Sequence, residues 1–161
     1  MRTARGKKQK AKIELTLRDY SPTDFDELLA LDQQCFVQGI AYTGAELGKY
    51  IRRRGAITIV AEDEAGTIAG FLVAHVQRDY GWIVTIDIRE FARRTGLGTR
   101  LMAAGEERLR AARVSAIVLE VAVNNLGAVG FYKRLGYAIT RTIPRYYLDS
   151  LDAFQMAKRM E

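Results

Sequence analysis

Three strand-like runs follow one another in the middle of the chain and restrict what it can fold into. Residues 56–61, 68–77 and 82–88 are rich in β-branched and apolar side chains, and only the short turns "EDEAG" and "RDYG" separate them. A parallel pair of strands needs a crossover of a dozen or more residues, which these turns are too short to provide. The sequence therefore predicts an antiparallel meander.

Helices and further strands are predicted on both sides of this meander. A strand over residues 13–18 comes first, and Ser21 with Pro22 then opens a helix. After the predicted loop "CFVQGIAY", Thr43 and Glu46 form a T-x-x-E capping box for a second helix. A third helix over 98–112, a strand over 116–123, a fourth helix over 126–134 and two final strands complete the pattern. We predict the α/β (α+β) class, with a mostly antiparallel sheet and about four helices.

Composition and charge narrow the class of protein. The chain has 161 residues, 48% of them hydrophobic, which suits one domain over residues 13–161. Six of the 25 basic residues lie in residues 1–12, so the rest of the chain holds as many basic as acidic residues (19). We interpret residues 1–12 as a basic disordered tail, with contact to a ribosome or nucleic acid as the weaker alternative. No apolar run reaches the ~18 residues of a membrane helix, and we expect a cytoplasmic protein without membrane contact.

One cysteine, Cys35, and one histidine, His75, argue against an internal disulfide, a zinc cluster or a histidine-dependent triad. We expect no metal, and we assign both residues to packing.

A glycine-containing loop, "FARRTGLGTRLM", stands before the third predicted helix. Its core, Arg93 to Gly98, fits the pattern [QR]-x-x-G-x-[GA], but it fits neither the G-x-G-x-x-G dinucleotide fingerprint nor a P-loop. Free N–H groups and the helix dipole at such a position suit a pyrophosphate. The alternative is an ordinary turn with solvated arginines.

A second stretch, "LEVAVNNLGAVGFYKRLGY", makes the two motifs specific together. With the glycine loop it resembles the GNAT superfamily of N-acetyltransferases, and most closely the RimI-like ribosomal-protein-alanine N-acetyltransferases. Glu120, Asn125, Tyr132 and the sequence L-G-Y at 135–137 match the spacing of that branch. The resemblance implies a GNAT fold with splayed central strands, and an enzyme that transfers acetyl from acetyl-CoA to an amine.

The resemblance also implies roles for individual residues around the cofactor. The main chain of the strand end would hold the pantetheine arm and the acetyl carbonyl, the loop would cradle the pyrophosphate, and Asn125 would bond the cofactor arm unless it only caps its helix. The residues so assigned are Ile86, Asp87 and Ile88 in the strand, Arg93, Arg94, Thr95, Gly96, Leu97, Gly98 and Thr99 in the loop, and Asn125.

Two further side chains are assigned to the chemistry. Glu120 lies in an apolar strand, where a charge is costly unless it is used or paired. In the resembling branch this glutamate acts through water as the general base, and the alternative is a salt bridge to an arginine such as Arg94. Tyr132 matches the tyrosine that protonates the departing thiolate, and the alternative is an ordinary amphipathic helix residue.

Departures from the branch concern the acceptor and the cofactor strand. Ala122 and Asn124 replace its usual arginine and serine, and Asp87 replaces a small residue. We predict a protein or peptide α-amine as acceptor, flanked by Tyr146 and Tyr147, whose rings should point to opposite faces of a strand. The alternatives are a small-molecule amine acetyltransferase, a non-catalytic acyl-CoA-binding domain and, on the tail alone, a nucleic-acid-binding module.

Overall fold

A single seven-stranded sheet organises the chain. The structure is a computed structural model that describes residues 13–161, so the predicted tail over residues 1–12 lies outside the described part. The strands lie in the order β1-β2-β3-β4-β5-β7-β6. Their bounds are Leu15–Asp19 (β1), Ile57–Asp63 (β2), Ile68–Gln77 (β3), Tyr80–Ile88 (β4), Ala116–Ala122 (β5), Ala138–Tyr147 (β6) and Leu151–Arg159 (β7). The helices are Phe25–Cys35 (α1), Gly44–Arg52 (α2), Leu97–Ala111 (α3) and Leu126–Arg134 (α4).

The predicted meander is confirmed. Strands β1 to β4 pair antiparallel in chain order, β7 pairs antiparallel with both β5 and β6, and β4 with β5 is the parallel pair of the sheet. The helix α3 makes the crossover that this parallel pair requires. The mixed, mostly antiparallel sheet with four helices agrees with the predicted fold class.

Helices cover both faces of the sheet and bury a separate core on each. On one face, α1 and α2 bury Leu28, Leu31 and Leu47 against Phe71 and Val73 of β3. On the other face, α3 and α4 bury a larger cluster against the alternate side chains of β3, β4 and β5. Its members from α3 include Leu97, Leu101, Met102 and Leu109. Each face of the sheet is thus covered by a buried apolar layer.

Local sequence signals place most helix ends. The capping box at α2 forms as predicted: the Thr43 Oγ1 accepts the Glu46 N–H at 3.2 Å, and the Glu46 carboxylate accepts the Thr43 N–H at 3.2 Å. Pro22 begins a short 3-10 turn, and α1 starts only at Phe25. The prediction that Cys35 lies in a loop is wrong, because α1 extends to it.

The two central strands separate after a short contact. Strands β4 and β5 pair only where Tyr80–Trp82 lies beside Ala116–Val118, and towards their C-terminal ends they splay apart. A β-bulge in β4 precedes the opening: Ala74 of β3 pairs with Ile83 and Val73 with Thr85, so that Val84 is the extra residue. The predicted splay of the central strands is confirmed. It opens a gap in the middle of the sheet.

Within residues 13–161, no helix is both long and apolar enough to cross a membrane.

Candidate active site

The gap between β4 and β5 exposes main-chain groups that a complete sheet would use. The Arg89 N–H donates to the Ala69 carbonyl, which fixes the alternation of hydrogen bonds between β3 and β4. By that alternation the N–H and C=O groups of Asp87 point towards β3, whereas those of Ile86 and Ile88 point into the gap. Of the three strand residues assigned to the cofactor, Asp87 therefore has no main-chain group to offer.

A cleft of about 600 Å³ occupies this gap and continues to the surface. Strand residues Ile86, Glu120 and Ala122 form one wall, and Asn125 and Tyr132 of the α4 region form another. Residues 36–43, which connect α1 to α2 and which we call the α1–α2 segment, close the far side. The cleft thus brings Glu120, Tyr132, Asn125 and Ile86 together, as the sequence motifs predict.

The start of α3 leaves main-chain N–H groups without side-chain partners among the described residues. Arg94 and Gly96 both have left-handed backbone (φ 60° and 83°), and Gly96 is the N-cap residue. Among the described residues no side chain caps α3 and no acidic residue stands in its first turn. The N–H groups of Leu97, Gly98 and Thr99 are therefore directed outwards, where an anion is the natural acceptor.

The loop residues contribute in different ways. Leu97 is 1% exposed and packs in the core, so only its N–H can meet a ligand. At Gly98 a Cβ would lie 3.2 Å from both Ile88 Cδ1 and Phe131 Cζ, so the missing side chain lets α3 approach β4 and α4. Arg93 Nε donates to the Ile88 carbonyl at 3.3 Å. The Thr95 hydroxyl donates to the Ala92 carbonyl and closes the turn.

Glu120 is held by an indole rather than by an arginine. Its Oε2 accepts a hydrogen bond of 2.7 Å from Trp82 Nε1 on the neighbouring strand. The alternative of a salt bridge to Arg94 is not found, since no ion pair in the described part of the chain includes Glu120. The second carboxylate oxygen has no hydrogen-bond donor among the described residues and is free to accept a hydrogen bond.

Tyr132 presents its hydroxyl to the same cleft. Its ring is buried, and burial raises the pKa of the phenol above its usual range, with the nearby Asp87 adding to the effect. No hydrogen-bond partner for the hydroxyl is present among residues 13–161. At neutral pH the group is therefore protonated and free to donate.

Asn125 has the capping role that was the alternative to a cofactor contact. It is the N-cap of α4, and its Oδ1 accepts the Ala128 N–H at 3.2 Å. The side chain also lines the cleft. Because the cap uses only the oxygen, the amide NH₂ remains able to donate to a ligand.

The outer mouth of the cleft lies between the α1–α2 segment and the turn that joins β6 to β7. Leu148 in that turn lies against Gly39, where a Cβ would overlap the Leu148 side chain. The rings of Tyr146 and Tyr147 are in edge contact, with centroids 4.7 Å apart. The prediction that they point to opposite faces is wrong, because the left-handed Arg145 (φ 51°) and a register shift break the alternation of β6.

Two carboxylates, Glu46 and Glu120, lie near the tyrosines behind this mouth. Burial raises the pKa of Tyr146 to about 12, and the charge of Glu120 contributes. Burial also raises the pKa of Tyr50, with Glu46 and Glu120 adding to it. A cationic group that enters the cleft therefore meets the Glu120 carboxylate among aromatic rings.

Sequence reasoning gave no role to Trp82 or Tyr50, and it assigned His75 to packing. Trp82 packs with Tyr50 and His75 (ring centroids 5.6 and 5.7 Å away), and His75 is buried with its Nε2 2.8 Å from the Tyr50 carbonyl. Burial lowers the pKa of His75, as for a neutral packed ring. The only available signal for Trp82 was a large aromatic in the strand beside that of Glu120.

Cys35 also lines the cleft, and its Sγ donates to the Ile88 carbonyl at 3.6 Å. Burial, with the neighbouring Asp87, raises the pKa of this thiol, so that it is not a ready nucleophile. In the described part of the chain no group of three or more His, Cys, Asp or Glu side chains is arranged to hold a metal ion.

Comparisons with known proteins agree with this geometry. The model of the acetyltransferase (GNAT) family matches residues 15–137. An N-alpha-acetyltransferase of Sulfurisphaera tokodaii is 26% identical over 170 residues, covering 98% of this chain and 98% of that protein. Ard1 from Thermoplasma volcanium superposes with a TM-score of 0.83 at 30% identity, covering 91% of this chain and 98% of that one. The ribosomal-protein-S18-alanine N-acetyltransferase from Escherichia coli has a TM-score of 0.82 at 20% identity, covering 92% and 95%. The last match shows the fold alone.

Proposed function

The chain belongs to the acetyltransferase (GNAT) family and is an N-acetyltransferase, and on this premise we propose that it acetylates the α-amine of a protein or peptide N-terminus. The observation that carries the proposal is the cleft at the β4–β5 gap, where the Glu120 carboxylate and the Tyr132 hydroxyl line one cavity. Glu120 is proposed as the base and Tyr132 as the acid.

The residues present fit acetyl-CoA, which supplies a reactive thioester when it is bound. The uncapped start of α3, from Gly96 to Thr99, offers N–H groups to a pyrophosphate, and Arg94 adds positive charge. The N–H and C=O of Ile86 and the N–H of Ile88 fit the amides of a pantetheine arm, which would extend beside β4 as a further strand does, while the Ile88 carbonyl already accepts from Arg93 and Cys35. The Asn125 NH₂ is placed to donate to the same arm.

The side chains at the cleft can perform the proton transfers of the reaction. Glu120, fixed by Trp82, accepts a proton from the incoming ammonium through a water molecule. The Ile86 N–H, which points into the gap, would be available to the carbonyl oxygen of the acetyl group, where it would stabilise negative charge. Tyr132 would donate its proton to the departing thiolate, because its hydroxyl is protonated at neutral pH and has no hydrogen-bond partner among the described residues.

Chemistry and shape both favour an α-amine as the acceptor. An α-ammonium has a pKa of roughly 7.7–8.0 against about 10.4 for lysine, so one water-relayed carboxylate suffices to deprotonate it near neutrality. The mouth offers apolar surface from Val37 in the α1–α2 segment, from the partly exposed ring of Tyr146 at the end of β6 and from Leu148 in the turn after it. An extended peptide entering there meets apolar walls and an acidic end. The named N-alpha-acetyltransferase relative supports the same acceptor class.

A peptide panel tests the acceptor. Release of CoA is measured with peptides that have free or acetyl-blocked N-termini, each with and without an internal lysine, and with polyamines and aminoglycosides. We expect acetylation of the free N-termini whether or not lysine is present. Acetylation of blocked, lysine-containing peptides, or of the small amines alone, would contradict the proposal and favour a lysine or small-molecule acceptor.

A further inference from the structure

Two buried carboxyl groups lie in contact beneath the cleft. Asp32, in the last turn of α1, is 0% exposed, and Asp87, in β4, is 1% exposed. The two side chains are within hydrogen-bonding distance of each other.

The hydrogen bonds around the pair leave room for one proton. Asp32 Oδ2 accepts the Tyr42 N–H at 2.7 Å, and Asp87 Oδ1 accepts the Thr85 hydroxyl at 2.6 Å. The other two oxygens, Asp32 Oδ1 and Asp87 Oδ2, have no donor among the described residues. Neither oxygen can donate while both groups are ionised, whereas a single proton between them satisfies both at once.

No Lys or Arg among residues 13–161 forms an ion pair with either carboxyl group; Arg93 lies beside the Cys35 thiol and the Ile88 carbonyl but pairs with neither aspartate. The titratable groups that face the pair are acids: Cys35 of α1, Tyr42 of the α1–α2 segment, Glu46 of α2 and Tyr132 of α4. Burial, the bond to Asp32 and the charge of Asp32 raise the pKa of Asp87 well above its usual range.

The pair joins the two sides of the cleft. Through the Tyr42 N–H, Asp32 holds the end of the α1–α2 segment, whose residues Phe36, Val37 and Ile40 line the outer cleft. The Tyr42 hydroxyl donates to the Val84 carbonyl at the bulge of β4. Asp87 lies between Ile86 and Ile88, the residues whose main chain faces the gap. The contact between the carboxyl groups therefore links the outer wall of the cleft to the strand at its centre.

We propose that Asp32 and Asp87 share one proton and are positioning residues, which hold the α1–α2 segment in place against β4 for the acceptor. This role rests on the proposed function for its effect on acetylation, but the shared proton itself does not. When the proton leaves, two adjacent buried anions repel each other, and the bond from the Tyr42 hydroxyl to the Val84 carbonyl is left to hold the α1–α2 segment against β4.

Stability as a function of pH tests the shared proton without any assay of activity. Asp87 ionises near its ordinary pKa of 3.8 in the unfolded chain but keeps its proton in the folded one. Above that pH the folded state binds one more proton, so the unfolding equilibrium constant rises about tenfold per pH unit. Asp87→Asn removes this proton. Between about pH 5 and pH 7, a plot of the logarithm of the unfolding constant against pH should therefore be less steep for this variant than for the wild type, by the amount that one proton contributes. Equal slopes for wild type and Asp87→Asn would overturn the proposal.

Asparagine substitutions test the geometry of the pair. In Asp87→Asn the amide donates to Asp32 Oδ1 and still accepts from Thr85, and in Asp32→Asn the amide donates to Asp87 and still accepts from Tyr42. Each single variant should keep the contact. In the double variant two NH₂ groups face each other, or one turns and gives up its second bond, so that one hydrogen bond is lost.

Acceptor kinetics then separate positioning from general damage. At neutral pH both single variants should keep the acceptor KM close to that of the wild type. The double variant should raise it about tenfold, the equivalent of one lost hydrogen bond, with little change in the KM for acetyl-CoA. A double variant that behaves like the single ones would refute the positioning role. If the protein acetylated no amine at all, the proposed function would fail, while the two stability slopes would still decide whether the proton is shared.

Discussion

Tyr132 in α4 and Tyr137 in the connection from α4 to β6 should separate chemistry from stability when each loses its hydroxyl. Tyr132 has a buried ring and a hydroxyl that faces the cleft without a protein partner among the described residues. Tyr137, 3% exposed, donates to Glu106 Oε1 at 3.0 Å, and Lys158 donates to the other oxygen at 2.9 Å. The same change, Tyr to Phe, therefore removes a proton donor in one case and a buried hydrogen bond in the other.

The magnitudes follow from these contacts. Tyr132→Phe should lower the rate of acetyl transfer roughly 10²–10⁴-fold, the usual worth of a general acid, while the free energy of unfolding changes by less than about 0.5 kcal/mol. Tyr137→Phe breaks a bond to a charged carboxylate, worth about 1.5–3 kcal/mol. At roughly 2–4 °C per kcal/mol for a domain of this size, Tm should fall by about 3–12 °C.

Both quantities are measured on both variants. Single-turnover transfer to a free-N-terminus peptide reports the chemical step, and thermal unfolding reports stability. We expect Tyr132→Phe to be slow and stable, and Tyr137→Phe to be fast and less stable. Full transfer by Tyr132→Phe, or parallel losses in both assays for both variants, would refute the role given to the cleft hydroxyl.

Trp82→Phe removes the N–H that fixes Glu120. The kcat should fall about tenfold while the Kd for acetyl-CoA stays unchanged. An unchanged kcat would mean that the indole does not orient the carboxylate. Glu120→Gln should lower turnover most at acidic pH, where little acceptor amine is free, and a loss independent of pH would contradict the role as base. Gly96→Leu and Gly66→Leu place a side chain at similar left-handed positions (φ 83° and 81°) that both open to free space. Both should cost about 1–2 kcal/mol of stability, but only Gly96→Leu should abolish the rise in Tm caused by acetyl-CoA. Equal ligand shifts in both variants would show that the cradle lies elsewhere.

Local sequence signals predicted the parts of the site that lie within one strand–loop–helix unit. The glycine loop had to precede α3, because Gly96 permits a left-handed residue at the point where the strand ends and the helix begins. The capping box at Thr43 and Glu46 likewise depends on residues three positions apart. Such features are encoded by neighbours in the chain and can be found from spacing alone.

Contacts across the sheet could not be predicted in this way. Trp82 reaches Glu120 because β4 and β5 pair in a particular parallel register, which no local pattern specifies. Asp87 was visible as a carboxylate in an apolar strand. Its partner Asp32 lies in α1, a helix far earlier in the chain, and no local pattern shows that α1 packs against this part of β4. The arrangement of Tyr146 and Tyr147 was mispredicted because Arg145 adopts a left-handed conformation without the glycine that usually announces one.

The divergence of β4 and β5 has a mechanical consequence. The single sheet divides into two parts, β1 to β4 and β5 to β7. Within residues 13–161, the strands on the two sides of the gap are joined where Tyr80–Trp82 pairs with Ala116–Val118, and the Ser115 N–H donates to the Asp79 carbonyl beside that contact. A complete ladder would continue to the strand ends, and each missing hydrogen bond forgoes about 1 kcal/mol. The strand pair with the fewest main-chain hydrogen bonds is thus the central one, β4 with β5. A ligand whose amides replaced the missing hydrogen bonds would connect the two parts of the sheet. Binding of such a ligand would therefore raise the free energy of unfolding as the site fills.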